Sequence, residues 1–251
     1  PGGYTMLIDG GGFADNSAFD VGAAIVAPLL WRKKIRTVDT LILSHPNSDH
    51  LNGLIYIARN FHVKKVWTNS ETRNTLGYQS FMAVIANQKI VLPSFADMPR
   101  SLWINGVKLE FLYPPQGFLK REEKETWRDT NNNSLVVKVS MGSTSFLFPG
   151  DIMAAAEKEL VGLAGKKLNS TVLIAPHHGS RSSSSTVFLE EVNPEVIVIS
   201  SGRKSRFKLP HPTILKKYQH HGYSVFRTDI NGAVSLSTDG QQLEIEPFIA
   251  F

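Results

Sequence analysis

Cysteine is absent from this chain of 251 residues. Without a thiol the protein can form neither a disulfide bond nor a zinc site built on cysteine. Any metal ion must therefore be held by histidine, aspartate, asparagine or water, and the chain has eight histidines. The lack of cysteine is compatible with a location outside the cytoplasm and does not establish one.

A long hydrophobic run is also absent. A membrane-spanning helix needs about 20 apolar residues, and the apolar segment 21–31 is far shorter than that. No segment has the pattern of a signal peptide. Hydrophobic residues make up 42% and charged residues 20% of the chain, which is ordinary globular composition. We therefore expect one large domain or two tightly fused halves.

The segment 44–53 packs His45, Asp49 and His50 between an apolar strand and a helical pattern. Neutral imidazole nitrogens and carboxylate oxygens are ligands that zinc, manganese and iron accept. We read the segment as a polar loop that aims these side chains at one metal ion. The alternative is a capped helix start, with Ser48 or Asp49 as the N-cap and the histidines as bystanders.

Two later strands end in the same kind of residue. Asp151 follows the apolar run 146–148, and the pair His177-His178 follows the apolar run 173–175. Buried strands that carry polar residues only at one tip are typical of an open active site. Three strand ends therefore predict one metal centre.

Strands alternate with helices along both halves of the chain, which predicts a sheet core with helices on both outer faces. Asn105-Gly106 and Asp239-Gly240 are typical hairpin turns. The charged stretch 120–129 lacks apolar periodicity and is predicted to be a surface loop. The predicted helices cover residues 21–34, 51–61, 76–87, 152–160, 184–192 and 213–220.

The chain carries a net charge of +5 and has a pI near 9.4. The basic clusters 32–36, 64–65 and 166–167 are predicted to be solvated surface. The run 203–208 follows a strand and precedes His211, so it suits a polyanion backbone or a small phosphorylated substrate. The candidate substrate-binding residues are Ser180, Arg203, Lys204, Arg206, Lys208 and His211. Ser180 could instead cap the next helix, and His211 could be an exposed turn histidine.

These motifs resemble the metallo-β-lactamase superfamily, and more closely the metallo-β-lactamase-like domain of the ComEC family of DNA-uptake proteins. The resemblance implies an α/β fold, a four-layer αββα sandwich with its metal site along one edge of the sheets. It covers nearly all of residues 1–251, which we expect to be a single domain, to lack the first strand and to be a fragment of a longer chain. The resemblance rests on Leu7 to Gly11, Leu43 to Leu54, Asn132 to Val136, Phe148 to Asp151, Ala175 to Ser180, Ser200 to Gly202 and His211-Pro212.

The chain departs from the superfamily loop His-x-His-x-Asp-His at Asn47, which replaces the second histidine. A later histidine is replaced by Asn132 or Asn133. Asparagine is a poor zinc ligand but is acceptable to a harder ion such as Mn²⁺. The resemblance therefore implies one strong metal position and a second, weakened one near His45, Asn47 and Asn133, filled by Mn²⁺ or Zn²⁺. The implied ligands are His45, Asp49, His50, Asp151 and His177 or His178.

The resemblance also implies metal-assisted hydrolysis of a DNA phosphodiester. Asp151 would bridge, Asp49 would orient or deprotonate water, and His178 is favoured over His177 as the ligand. Asp9 is predicted to brace the His/Asp segment without reacting itself.

The expected role is cleavage of one DNA strand during DNA uptake. The implied partners are single-stranded DNA and the transmembrane channel portion of a longer inner-membrane protein, on its extracytoplasmic side. Two alternatives stay open. One is a hydrolase of the same superfamily that acts on a small ester, lactone or phosphodiester. The other is a non-catalytic DNA-binding or gating module.

Overall fold

The computed structural model describes residues 2–15, 18–121, 124–203 and 207–250. The chain divides into two compact units. The N-terminal unit comprises Pro1–Pro99 and Gln116–Lys120, and the C-terminal unit comprises Arg100–Pro115 and Arg121–Phe251. Across the described ranges, no helix combines the length and the apolar character that a bilayer crossing requires.

The N-terminal unit is built on a three-stranded parallel sheet in the order β1-β3-β5, with a separate parallel pair, β2 and β4. Every residue of β3 is buried, which explains the apolar run Leu41 to Leu43. The strands are β1 Met6–Ile8, β2 Thr37–Val38, β3 Thr40–Leu43, β4 His62–Val63 and β5 Val66–Thr68. The helices are α1 Ala27–Arg32, which continues a π-helical turn over Gly22–Val26, α2 Ser48–Asn60 and α3 Leu76–Asn87.

Two glycines let helix α2 lie directly against the chain that leaves β1. A Cβ atom on Gly53 would overlap the carbonyl oxygen of Gly10. The backbone N–H of Gly53 donates to the carbonyl of Gly11 at 2.8 Å, and that of Gly10 donates to the carbonyl of His50 at 2.7 Å. This close approach sets the start of α2 beside the end of β1, where the polar residues of this unit lie.

The C-terminal unit holds a seven-stranded sheet in the order β12-β11-β10-β9-β8-β7-β6. Strands β9 to β12 run parallel to one another, and the others are antiparallel. The strands are β6 Ser101–Ile104, β7 Val107–Tyr113, β8 Val136–Met141, β9 Thr144–Phe148, β10 Val172–Ile174, β11 Val196–Ile199 and β12 Ser224–Arg227, followed by a hairpin of β13 Val234–Thr238 and β14 Leu243–Pro247. The helices are α4 Ala154–Ala164, α5 Thr186–Val192, α6 Pro212–His220 and α7 Thr228–Asn231.

The predicted elements are largely present. Helix α3 has the predicted bounds, but α2 begins at Ser48, three residues before its predicted start. The polar segment that we expected to be a loop therefore includes the first turn of a helix. The predicted helix 21–34 is shorter, since its first part is π-helical and its last residue is Arg32.

The prediction that residues 120–129 form a surface loop is wrong for Arg128, whose side chain is fully buried. Its guanidinium donates to Glu159 at 2.6 Å and to the hydroxyl of Tyr113 at 2.9 Å, and it also pairs with Glu125. Burial alone would raise the pKa of Glu159, but hydrogen bonds from Arg128, Tyr113 and Arg121 outweigh it and hold that pKa below its usual value. The charge is buried because a carboxylate from α4 neutralises it.

The contact between Gly10 and Gly53 generates a stability prediction. Replacing Gly53 by alanine should lower the free energy of unfolding by about 1–3 kcal/mol, because the added methyl group has no room. The matched control is Gly162, a residue of α4 with nothing within 4 Å of an added Cβ. Gly162→Ala should raise stability by about 0.5–1 kcal/mol through helix propensity. Urea unfolding midpoints measure both, and equal effects of the two substitutions would contradict the close contact.

The buried pair of Glu159 and Arg128 generates a pH prediction. At pH 7, Glu159→Gln should cost about 3 kcal/mol, because it leaves Arg128 buried with less compensation. The contribution of Glu159 is fully present above the pKa of the unfolded chain, near 4.5. It is lost as the pH falls through the lower folded pKa, so the stability difference between the two proteins should shrink in increasingly acidic solution. Glu190→Gln, at an exposed position of α5, should change stability by less than about 0.5 kcal/mol. A difference that is constant with pH would contradict this assignment.

Candidate metal centre

Asp9 organises the polar residues of the N-terminal unit. It follows β1 and has a φ of 56°, and its carboxylate faces the end of the neighbouring strand β3. The backbone N–H and the hydroxyl of Ser44 donate to its two oxygens at 2.8 Å each. Nδ1 of His50 lies 2.8 Å from Oδ2 of Asp9. The predicted bracing role of Asp9 is confirmed by these contacts.

His50 and Asp49 lie in the first turn of α2, with Asn47 as the N-cap. Neither Ser48 nor Asp49, the two residues considered as caps, occupies the N-cap position. A carboxylate in the first turn is favoured by the helix dipole. His50 is buried, and its Nδ1 is engaged by Asp9, so Nε2 is the nitrogen that would ligate a metal. A carboxylate behind a ligating histidine fixes its tautomer and its ring orientation.

His45 is fully buried beside His50. Its Nδ1 lies 2.9 Å from the hydroxyl of Ser44, and its ring centroid is 4.1 Å from that of His50. The hydroxyl of Ser44 thus links His45 to Asp9. Hydrogen bonds therefore join His45 and His50 through Ser44 and Asp9. We call these two histidines, together with Asp49 in the first turn of α2, the N-terminal half-site.

Asp151, His177 and His178 meet at the edge of the C-terminal sheet where the parallel strands β9 and β10 end. Nε2 of His177 and of His178 lie 3.8 Å and 3.7 Å from Oδ2 of Asp151. These distances are too long for hydrogen bonds and suit groups that share a cation. We call these three residues the C-terminal half-site.

The other ring nitrogen of His178, Nδ1, is held by a hydrogen bond. Its Nδ1 lies 2.8 Å from the carbonyl oxygen of Ser200, at the end of β11. Since a carbonyl can only accept, Nδ1 carries the proton and Nε2 is the basic nitrogen turned towards Asp151. His177 instead has its Nδ1 3.3 Å from the hydroxyl of Ser182. This difference favours His178 as the metal ligand.

Both histidines have left-handed backbone conformations, with φ of 49° at His177 and 54° at His178. Residues with a side chain rarely adopt this region, and each such residue costs of the order of 1–3 kcal/mol. The tight turn lets both imidazoles reach one carboxylate. Strain of this kind is typical of functional sites.

The asparagines before β8 differ in role. The side chain of Asn132 donates to the carbonyl of Trp127 at 2.7 Å and accepts from the N–H of Met153 at 2.8 Å. Its amide therefore holds the backbone. Asn133 is fully buried and is the better candidate for the weakened metal position. Ser134 accepts a hydrogen bond from the N–H of Asp151 at 3.0 Å.

A serine-rich segment follows the paired histidines. Ser180 bonds to the hydroxyl of Ser182 at 2.9 Å, and Ser185 caps α5, so the alternative that Ser180 is that N-cap is wrong. The carboxylate of Glu157 accepts from the N–H groups of Ser184 and Ser185. Burial raises the pKa of Glu157, although these hydrogen bonds act to lower it.

The candidate substrate-binding residues are only partly described. His211 caps α6, and its N–H donates to the carbonyl of Gly179 at 2.9 Å, which ties it to the turn of the paired histidines. Its Nδ1 accepts a hydrogen bond from the N–H of Thr213. His211 is therefore the N-cap of α6, and the alternative of an exposed turn histidine is wrong. Arg203 and Lys208 are exposed, and Lys204 and Arg206 lie outside the described residues.

The donor set fits a divalent transition-metal ion. Asp49, His50, Asp151 and His178 each offer one ligand atom. A mixture of carboxylate oxygen and imidazole nitrogen is accepted by manganese, iron and zinc. The sequence motifs found these four residues but missed Ser44, Ser182 and the carbonyl of Ser200. A serine directly before the first histidine was the only local signal, since the other two partners depend on tertiary contacts.

Comparisons with known proteins show the family of this chain. A family model described as the metallo-beta-lactamase superfamily matches residues 1–203. Competence protein ComA of Neisseria gonorrhoeae is 32% identical over 222 residues, covering 86% of this chain and 28% of that protein. ComE operon protein 3 of Bacillus subtilis (strain 168) is 27% identical over 242 residues, covering 91% of this chain and 29% of that protein.

Igni18, described as a novel metallo hydrolase from Ignicoccus hospitalis, has a TM-score of 0.48 at 13% identity and covers 87% of this chain and 83% of its own. The chain spans less than a third of the length of the two curated relatives, 28% and 29%. The predicted α/β class and the resemblance to the competence proteins are confirmed by the family match and by these relatives. The chain belongs to the metallo-beta-lactamase superfamily.

Proposed function

We propose that this chain is a metal-dependent deoxyribonuclease that cleaves one strand during DNA uptake. The observation that carries the proposal is the arrangement of His50 and His178. His50 lies at the start of a helix, and His178 follows the end of a strand. In each histidine an acceptor holds Nδ1, which leaves Nε2 as the ligand atom. A protein that only binds DNA has no need of such paired imidazoles and carboxylates.

We propose that residues 1–251 belong to a single domain. We propose that one ion is held by Asp49, His50, Asp151 and His178. A second, weaker position would lie near His45, with Asn47 and Asn133 in place of imidazole ligands. Carboxamide oxygens favour a harder ion, so Mn²⁺ is preferred to Zn²⁺ for this position.

When bound, a divalent ion supplies Lewis acidity that polarises the phosphoryl group and makes water more acidic. The side chains of the protein would bind the ion, orient the water and position the phosphate. Asp49 would orient the attacking water and take its proton. Asp151 would hold the centre together as a bridging carboxylate. His177, Ser180 and His211 lie on or against the same turn of the C-terminal unit and would position the phosphate through N–H and O–H donors.

DNA as the substrate is supported by charge and by the relatives. The net charge of +5 and the basic run 203–208 suit a polyanion. Arg203 and Lys208 are exposed, as phosphate contacts must be. One of the relatives, ComA, is named as a competence protein, and competence is the uptake of DNA. We further propose that the parent protein carries a transmembrane channel and places this part of the chain on the extracytoplasmic side.

The test is cleavage of single- and double-stranded DNA by chelator-treated protein with Mn²⁺, Zn²⁺ or Mg²⁺ added back. Asp49→Ala, Asp151→Ala and His178→Ala should each lower the cleavage rate by about a hundredfold or more, since even loss of a partner behind a ligand costs 10–100-fold. His220→Ala and Glu190→Ala, at exposed positions, are the matched controls and should cleave normally. Full activity in any of the three site variants would refute the site assignment. No cleavage by the unaltered protein with any of the ions would refute the nuclease.

A further inference from the structure

Two exposed aromatic side chains border the N-terminal half-site. Phe13 is 56% exposed and Phe19 is 46% exposed, although both belong to a residue type that is usually buried. Their rings contact each other edge to face, with centroids 6.3 Å apart and an interplanar angle of 70°. They therefore form a small aromatic surface that is open to solvent.

This aromatic pair is tied to the turn that carries Asp49 and His50. The side-chain amide of Asn52 donates to the carbonyl of Phe13 at 2.6 Å. Gly12 lies so close to α2 that an added Cβ would stand 2.7 Å from Cβ of Asn52. Phe13 is thus held one helical turn from two of the proposed metal ligands.

The charge of residues 9–31 limits which part of a nucleic acid these residues can contact. Residues 9–31 contain no lysine and no arginine, and they include Asp15 and Asp20. The segment therefore has no cation with which to hold a phosphate. An exposed aromatic pair without cations suits the uncharged face of a nucleobase, on which stacking is favourable whichever base is present.

We infer that Phe13 and Phe19 form a base-stacking platform that selects unpaired DNA strands for the site. The inference rests on the proposed nuclease function, since it names the form of DNA that the site takes. In a duplex the faces of the bases are covered by their neighbours, whereas in a single strand a base can turn out onto an aromatic ring. Phosphate contacts would then fall to exposed basic residues elsewhere in the chain, such as Arg203 and Lys208.

The test is fluorescence anisotropy with a labelled single strand of about 12 nucleotides, within the usual range of such sites, and an abasic strand of the same length. Phe13→Leu and Phe19→Leu keep an apolar side chain but remove the ring. Each should weaken binding of the ordinary strand by about fivefold to a hundredfold, the range expected for one lost base stack, and leave binding of the abasic strand unchanged. Phe13→Trp should restore binding. Trp103→Leu, which removes an exposed aromatic on β6, should have no effect.

The outcomes separate this inference from the proposed function. Equal weakening on both strands, or no weakening on either, would refute stacking even if the protein cleaves DNA. Base-dependent binding that is lost in Phe13→Leu, in a protein that cleaves no DNA with any ion, would support the platform and refute the nuclease.

Discussion

The carboxylate of Asp9 is the group on which the N-terminal half-site depends. It accepts two hydrogen bonds from Ser44 and contacts Nδ1 of His50, so one side chain fixes both the end of β3 and the first turn of α2. The glycines at positions 10 and 53 make this possible, because only a side chain of hydrogen lets the two segments approach so closely. His45 is drawn into the same network through Ser44. The position of two imidazoles thus follows from one partly buried carboxylate.

The C-terminal half-site also orients its histidines, but it does so through strand ends and backbone conformation. Parallel strands bring Asp151, the paired histidines and the carbonyl of Ser200 to one edge of the sheet. Left-handed backbone at His177 and His178 then aims both rings at one carboxylate. In each half a histidine is held at Nδ1 by an acceptor, a carboxylate in one and a carbonyl in the other. That shared feature is the physical basis for reading both halves as parts of a metal centre.

Much of this arrangement follows from local sequence. A buried strand such as β3, with its apolar run Leu41 to Leu43, and a periodic helix such as α3 are recognisable because their patterns extend over most of an element. The strands β2 and β4 are only two residues long and leave no periodic signal. The buried Arg128 could not be predicted, since its partners Tyr113 and Glu159 are 15 and 31 residues away. The same holds for Ser200, whose backbone carbonyl acts on His178 whatever its side chain is.

The central proposal is that Asp49, His50, Asp151 and His178 bind one ion, and electron paramagnetic resonance of Mn²⁺ added to the chelator-treated protein tests it most directly. The account predicts one tightly bound ion that is lost equally in His50→Ala, from the N-terminal half-site, and in Asp151→Ala, from the C-terminal half-site. His220→Ala should keep it. Retention of the tightly bound ion in either of the first two variants would show that the half-sites bind separately, and would contradict the account.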